Sequence, residues 1–161
     1  MPLPLSESPR LKTDGVLYAG QRGIMTNERV LFTAEAFYAH LKEQRLMGSR
    51  CVSCGELYLP PRPICVSCGG KDMTWHPFQG NGRLSTFTCI RVAPSAMEAR
   101  GYGRNTPYCT GLVETDEGPT ISALVLGVDA ARPEMIQVGM ALQVDFSEAT
   151  GDHPALAFHA V

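Results

Sequence analysis

The sequence predicts a mainly β protein with an N-terminal helix, in which a rubredoxin-like zinc ribbon is followed by a five-stranded barrel of the OB type. Three observations lead to this fold class. Two Cys-x-x-Cys pairs lie close together, 16 glycines and 12 prolines mark frequent turns, and the second half holds five short segments rich in β-branched and apolar residues. Short strands with glycine-rich corners are typical of a small Greek-key barrel.

Composition limits the classes of function. A chain of 161 residues with 44% hydrophobic and 19% charged residues is not disordered throughout, and its length suits one domain or two small modules. A net charge of −2 argues against a general binder of nucleic acid or of anionic membranes. Because no apolar run approaches the roughly 18 residues of a membrane span and no secretory signal is evident, we expect a cytoplasmic protein with no membrane partner.

Residues 1–29 show no periodicity, and we expect an extended or partly mobile arm. If the arm docks on a partner, its anchors are Val16, Leu17, Tyr18, Ile24 and Met25. The next part, 30–48, contains a predicted amphipathic helix over 33–46, with Thr33 as N-cap and Gly48 at its end. Its apolar stripe must pack on its own domain or on another subunit.

The part from 49 to 76 carries the strongest motif. The strings Cys51-Val-Ser-Cys54 and Cys65-Val-Ser-Cys68 are separated by ten residues, as in a zinc ribbon, where each knuckle supplies two thiolates. Gly55 and Gly69 follow the knuckles, where the backbone must turn left-handed. We expect structural Zn²⁺ on these four cysteines. Iron in a rubredoxin-like site is the alternative, since spacing does not choose the metal.

The barrel is predicted over 77–161. A turn at Gly80-Asn81-Gly82 precedes the first strand, a turn at 116–118 makes a hairpin of the second and third, and 129–138 is a linking segment with one possible helical turn. Cys89 and Cys109 fall inside strands, where a lone cysteine is usually a small buried hydrophobe. The five strands are predicted at 84–92, 108–115, 120–126, 140–147 and 155–160.

Four arginines are candidate contacts to an acidic ligand or a partner. Arg62 lies on a loop stiffened by Pro60-Pro61, and the other three lie in the long segment from 91 to 107, where arginines could hold phosphates. The alternatives without a ligand are a surface salt bridge for Arg62 and a solvated loop for the other three. These three are Arg91, Arg100 and Arg104. The four histidines fall in no recognisable catalytic or metal motif, and we predict no catalytic residue.

The string C-x-x-C-G-x-x-x-x-P-P-R-x-x-C-x-x-C-G, with the preceding helix and the barrel pattern after it, resembles the DUF35 family of acyl-CoA-associated zinc-ribbon and OB-fold proteins. The resemblance runs from about Val30 to the C-terminus. It implies an accessory subunit that binds a thiolase-fold or MaoC-like catalytic subunit and helps to form the acyl-CoA channel, as in benzoylsuccinyl-CoA thiolase. It also implies metal ligation by the four knuckle cysteines.

We therefore expect an accessory subunit of a heteromeric acyl-CoA enzyme. A thiolase-fold partner is expected first and a hydratase-fold or aldolase partner next, with acyl-CoA at or near the shared interface. Two hypotheses from other classes of function stay open. One is a single-stranded nucleic-acid-binding module, which the negative net charge and the 7% aromatic content disfavour. The other is a stand-alone enzyme that uses Cys89 or Cys109.

Overall fold

A computed structural model describes residues 31–151 and 154–161, so the predicted arm over 1–29 lies outside the described residues. The predicted fold class is confirmed. Helix α1 (Ala34–Lys42) precedes a three-stranded sheet, and a closed five-stranded barrel follows. The strands of the sheet are β1 (Met47–Cys51), β2 (Leu57–Tyr58) and β3 (Met73–Pro77), and those of the barrel are β4 (Asn81–Ile90), β5 (Tyr108–Thr115), β6 (Thr120–Leu126), β7 (Ala141–Asp145) and β8 (Ala157–Ala160).

Helix α1 begins as predicted but ends earlier. The backbone N–H of Ala36 donates to Oγ1 of Thr33 at 3.1 Å, which confirms the N-cap. The helix ends at Lys42, and Gln44 takes a left-handed φ of 57°. The predicted end at Gly48 is wrong, because Gly48 lies inside β1. A Cβ there would collide with the ring of Phe78 and the carbonyl oxygen of Tyr58, so this glycine is required for packing rather than for a helix terminus.

The small sheet has the order β2-β1-β3, and both pairings are antiparallel. Ser49 in the central strand lies opposite Tyr58 on one side and Trp75 on the other. Its side chain is fully buried, and its Oγ accepts a hydrogen bond from the backbone N–H of Arg62 at 2.8 Å. This bond ties the Pro60-Pro61-Arg62 loop to the middle of the sheet.

The barrel closes in the order β4-β5-β6-β8-β7, with β7 paired to β4. Only the β6–β8 pair is parallel among these described strands. An irregularity between Leu84 and Thr86 shifts the register of β4 against β5, as a β-bulge does when a strand bends around a barrel. The predicted turn at Gly80-Asn81-Gly82 is reduced to Gly80, at φ 82°, because Asn81 and Gly82 already belong to β4.

Three loops of the barrel hold short helices or helical turns. Helix α2 (Ser95–Glu98) lies between β4 and β5 and was not predicted, whereas the 3-10 turn at Pro133–Met135 falls in the linking segment where one helical turn was expected. A second 3-10 turn spans Ser147–Ala149. The hairpin turn at 116–118 is confirmed, with Gly118 at φ 109°. Within the residues described, no helix is long and apolar enough to cross a membrane.

One continuous core joins the helix, the proline loop and the barrel. Leu84, Val113, Leu142 and Phe158 fill the barrel interior and are essentially inaccessible to solvent. The same cluster contains Phe37 and Leu41 of α1 and Leu59 before the two prolines. The apolar stripe of the helix therefore packs on its own chain, and the ribbon is held against the barrel by shared core side chains.

Candidate metal centre and adjoining groove

The four predicted ligands come together at one end of the ribbon. The thiol sulfurs of Cys51, Cys54, Cys65 and Cys68 all lie within 4.8 Å of one another. The Sγ atoms of Cys51 and Cys68 are 3.6 Å apart, and those of Cys54 and Cys65 are 3.5 Å apart. A tetrahedral zinc site with bonds of about 2.3 Å has sulfur–sulfur edges of about 3.8 Å. The donor set therefore fits a tetrahedral thiophilic metal ion.

The two knuckles have the same backbone geometry. The N–H of Gly55 donates to the carbonyl of Cys51 at 2.9 Å, and the N–H of Gly69 donates to the carbonyl of Cys65 at 3.0 Å. Both glycines take a left-handed φ, of 79° and 73°. The left-handed turns expected from the sequence are thus confirmed, and they aim both cysteines of each knuckle at a common centre.

Tyr58 supports the metal centre from the neighbouring strand. Its hydroxyl lies 3.2 Å from Sγ of Cys65 and accepts a hydrogen bond from the backbone N–H of Val66 at 3.1 Å. The phenol can therefore donate its own proton to the sulfur while it accepts from the knuckle. No sequence motif marks Tyr58, because its contact arises only where β2, paired with β1, lies beside the second knuckle.

The thiols have different acidities. The hydrogen bond from Tyr58 lowers the pKa of Cys65 to about 6, and the backbone N–H of Cys54 lowers the pKa of Cys51. Although the backbone N–H of Glu56 favours the thiolate of Cys54, the adjacent sulfur of Cys65 and burial raise the pKa of Cys54 to about 12. The pKa is thus lowered for one cysteine of each knuckle, and a bound cation would favour the thiolate form of all four.

Four thiolates would fill a tetrahedral coordination sphere and leave no position for substrate. Cys51 and Cys65 are completely buried, whereas Cys54 and Cys68 are exposed at the surface. A metal held here would cross-link two loops of a small sheet. Its role would be structural.

A groove of about 620 Å³ lies beside the ribbon, between α1, the proline loop and the outer face of β5 and β6. The two prolines form one wall and Phe37 and Tyr38 of the helix form a second. The floor carries Tyr108 and Leu124, and Thr110 and Ser122 add hydroxyl groups. The groove is therefore largely apolar, with a few hydroxyls, as is usual for sites that take small molecules.

The predicted arginines occupy two elements that border this groove. Arg62 follows Pro61, and its exposed guanidinium lies 5.9 Å from the ring centroid of Tyr58. Arg100 forms an ion pair with Glu148, and Arg91 donates to the carbonyl oxygen of Ala131 at 2.9 Å. Arg104 is exposed on the same segment. The roles of these four arginines in ligand binding stay predictions.

The interpretation of Cys89 and Cys109 as two separate hydrophobes is wrong. They lie directly opposite each other on β4 and β5 and are joined by a disulfide, with Cα atoms 4.0 Å apart. Cys109 is buried and Cys89 is half-buried. Their pairing depends on the register shift between Leu84 and Thr86, which nothing in the sequence discloses.

Comparison with known proteins shows the family. Residues 39–74 match the description "ChsH2, rubredoxin-like zinc ribbon domain" and residues 75–147 match "ChsH2, C-terminal OB-fold domain". A "DUF35 domain-containing scaffold protein" of Pyrococcus furiosus is 35% identical over 109 residues, which cover 67% of this chain and 74% of that protein. This chain belongs to the DUF35 family.

Two further similar proteins carry the names of enzymes. A solved structure described as "Ltp2-ChsH2(DUF35) aldolase" has a TM-score of 0.65 and 26% identity, covering 78% of this chain and 92% of that one. A protein of Thermomonospora curvata named "Probable enoyl-CoA hydratase alpha subunit" is 31% identical over 67% of this chain but only 31% of its own length. The similar proteins thus carry names of scaffolds, an aldolase and a hydratase.

Proposed function

We propose that this DUF35 chain is a zinc-containing accessory subunit of a heteromeric acyl-CoA enzyme, most directly a thiolase that cleaves or forms a carbon–carbon bond on a CoA thioester. The observation that carries the proposal is the apolar groove beside a four-cysteine site with no open position. Such a chain offers a binding surface without a metal-based catalyst. The catalytic groups would belong to a partner subunit. In this proposal the chain divides into an arm, a helix, a ribbon and a barrel, which span 1–29, 30–48, 49–76 and 77–161 in that order.

The groove suits the thioester half of acyl-CoA. An acyl chain and its pantetheine arm are mostly apolar with a few amide groups, which matches walls of proline and aromatic rings with the hydroxyls of Thr110 and Ser122. Phosphates of the nucleotide would lie outside the groove, where the exposed guanidinium groups of Arg62 and Arg104 could pair with them. The half-buried Arg100 would instead hold the loop through Glu148.

The ribbon offers a surface for the partner subunit. Val52 and Val66 sit at the same position of the two knuckles, and their exposed fractions are 57% and 69%. Ile64, directly before the second knuckle, is 47% exposed. Exposed apolar side chains on a rigid, metal-bound loop pair are typical of a protein–protein contact.

The partner is expected to have a thiolase fold, and a hydratase fold is the second candidate. The likeness to the Thermomonospora hydratase subunit favours the second candidate, and the aldolase structure favours the assembly of a DUF35 chain with a catalytic subunit. In each case the DUF35 chain would shape the acyl-CoA site and leave the bond chemistry to the other subunit.

The test is to isolate the full chain with an affinity tag from its native host and to identify co-purifying proteins by mass spectrometry. A stoichiometric thiolase-fold subunit supports the proposal, and a hydratase-fold subunit selects the second candidate. Recovery of the chain alone, or turnover of acyl-CoA by the isolated chain, would refute the accessory role. A Val66→Asp variant should lose the partner, whereas Val138→Asp, at an equally exposed valine of the 129–138 segment, should retain it.

A further inference from the structure

The disulfide between Cys89 and Cys109 closes the base of the segment that borders the groove. We propose that this pair is a reversible thiol–disulfide exchange site for low-molecular-weight thiols such as glutathione. We also propose that its redox state sets the order of residues 91–107. The second part rests on the proposed function, because the groove beside this segment is where acyl-CoA would bind.

The position of the bridge limits what it can affect. On one side Thr88 pairs with Thr110, and on the other Ile90 pairs with Tyr108, so the β4–β5 ladder continues across the bridge. Opening the bridge therefore leaves the barrel paired. The segment that leaves the sheet one residue later, after Ile90, loses its covalent closure.

That segment forms part of the groove. Met97 in α2 lines the groove directly, and the Tyr102 ring contacts the Tyr108 ring with centroids 5.1 Å apart. Both side chains pack on a cluster that contains Tyr108 and Leu124, which form the groove floor. A change in the order of this segment is therefore a change in one groove wall.

The two sulfurs differ in access. Cys109 faces the barrel interior with only 2% of its surface exposed, whereas Cys89 is half-buried. Of the two residues, Cys89 is therefore the more open to a small thiolate. Access from solvent at one sulfur is what exchange requires, and the burial of Cys109 keeps the released thiol next to its partner.

Glutathione is the only co-reactant that the thiol–disulfide exchange requires. A glutathione thiolate attacks Sγ of Cys89, the bond to Cys109 breaks, and the Cys109 thiolate takes up a proton. A second glutathione thiolate then attacks the glutathione sulfur of the mixed disulfide and releases Cys89 as a thiolate, which is protonated in turn. Glutathione disulfide is the product, and two electrons pass to the protein. The reverse sequence closes the bridge.

The full-length, zinc-loaded chain is equilibrated in glutathione buffers from fully reduced to fully oxidised. Each sample is quenched with acid, alkylated with excess N-ethylmaleimide in denaturant near pH 7 and digested with trypsin. The peptide from Leu84 to Arg91 carries Cys89 alone, Cys109 lies on the peptide that begins at Asn105, and the four zinc ligands lie on a third peptide from Cys51 to Lys71. The bridge is thus read separately from the metal site. Amide hydrogen exchange over 92–107 is measured in the same samples.

We expect the linked fraction to rise and fall reversibly with the buffer at constant zinc content, and exchange over 92–107 to become several-fold faster in the reduced state. A pair that is alkylated in every buffer, or linked in every buffer, would refute the exchange site. Equal exchange in the two states would refute control of the segment.

A Cys89→Ala/Cys109→Ala double variant should show the fast exchange of the reduced protein in all buffers. If that variant does not fold, the wild-type titration still decides the question. These readouts need no catalytic subunit, so they are independent of the co-purification result. In the assembled complex, oxidised and reduced protein should differ in acyl-CoA affinity, and equal affinity would remove the link to the groove.

Discussion

The hydroxyl of Tyr58 lies 3.2 Å from Sγ of Cys65, so a tyrosine of β2 supports a ligand of the second knuckle. Groups in this position orient a metal ligand and stabilise its thiolate. Tyr58→Phe keeps the ring and removes the hydrogen bond, and we expect metal affinity to fall about 10- to 100-fold. Competition with a chromophoric chelator measures this. Tyr38→Phe, on helix α1, is the matched control and should retain full affinity.

Gly48 should tolerate no side chain. Gly48→Ala places a methyl group against the Phe78 ring and the Tyr58 carbonyl, and we expect a loss of about 1–3 kcal/mol in the free energy of unfolding. Gly103→Ala is the control, because a Cβ at Gly103 meets no described atom within 4 Å. Urea unfolding of the two zinc-loaded variants compares them. Equal midpoints would show that the ribbon backbone relaxes around the added methyl.

His40 should make stability depend on pH. Burial, and next the charge of Arg45, lower the pKa of His40, whose ring packs edge-on against Trp75. The unfolded chain then binds the proton more readily, so the contribution of His40 is present above pH 6.5 and is lost as pH falls through the folded pKa. The midpoint of thermal unfolding should fall more steeply between pH 7 and pH 5 for the wild type than for His40→Gln.

A matched variant tests that assignment. His76→Gln changes the histidine that packs on Phe78 at the end of the ribbon, and it leaves the contact between His40 and Trp75 in place. A wild-type slope in His40→Gln would assign the pH dependence to other groups. The single tryptophan, Trp75, gives a fluorescence readout of the same contact.

Filling the groove should block acyl-CoA. Ser122 lies on β6 at the groove floor, and Ser122→Trp should weaken acyl-CoA binding to the assembled complex by at least about tenfold, which is about 1.4 kcal/mol. Thr120→Trp adds the same bulk two residues earlier on the same exposed face, outside the groove lining. Calorimetric titration of both complexes makes the comparison. Equal affinities would place the acyl chain elsewhere.

Arg62 should act on the nucleotide end of the ligand. Arg62→Ala is expected to weaken binding of a CoA thioester about tenfold and to leave the matching pantetheine thioester, which lacks the nucleotide phosphates, unchanged. Arg83→Ala removes a guanidinium that donates to the Gly139 carbonyl on the barrel and should affect neither ligand. Equal losses for both thioesters would assign Arg62 a purely structural role.

The four-cysteine cluster could be predicted because the geometry of each knuckle is local. Each knuckle spans four residues, and its glycine reports the left-handed turn directly, so no tertiary contact had to be inferred. The strand pattern was equally readable, since alternation and turn residues mark each barrel strand. In each of these features, the residues that form the local structure lie close together in the sequence.

The remaining features depend on strand register and packing contacts that no sequence motif marks. The partnership of Cys89 with Cys109 requires the bulge near Leu84, and the role of Tyr58 requires the β1–β2 pairing. The prediction for Gly48 was wrong because a glycine after a helical pattern usually marks a helix end. Here the close approach of the Phe78 ring requires a residue without a side chain. Tertiary contacts decided these positions.

The parallel pairing of β8 with β6 has a consequence for the order of assembly. The knuckles lie within 18 residues, from Cys51 to Cys68, and metal can join them as soon as that stretch leaves the ribosome. The barrel cannot close before β8 (Ala157–Ala160) has been made, because β8 bridges β6 and β7 and no earlier strand among the described residues fills that gap. The four knuckle cysteines can therefore meet before the barrel closes, and the groove floor keeps an open β6 edge until β8 is in place.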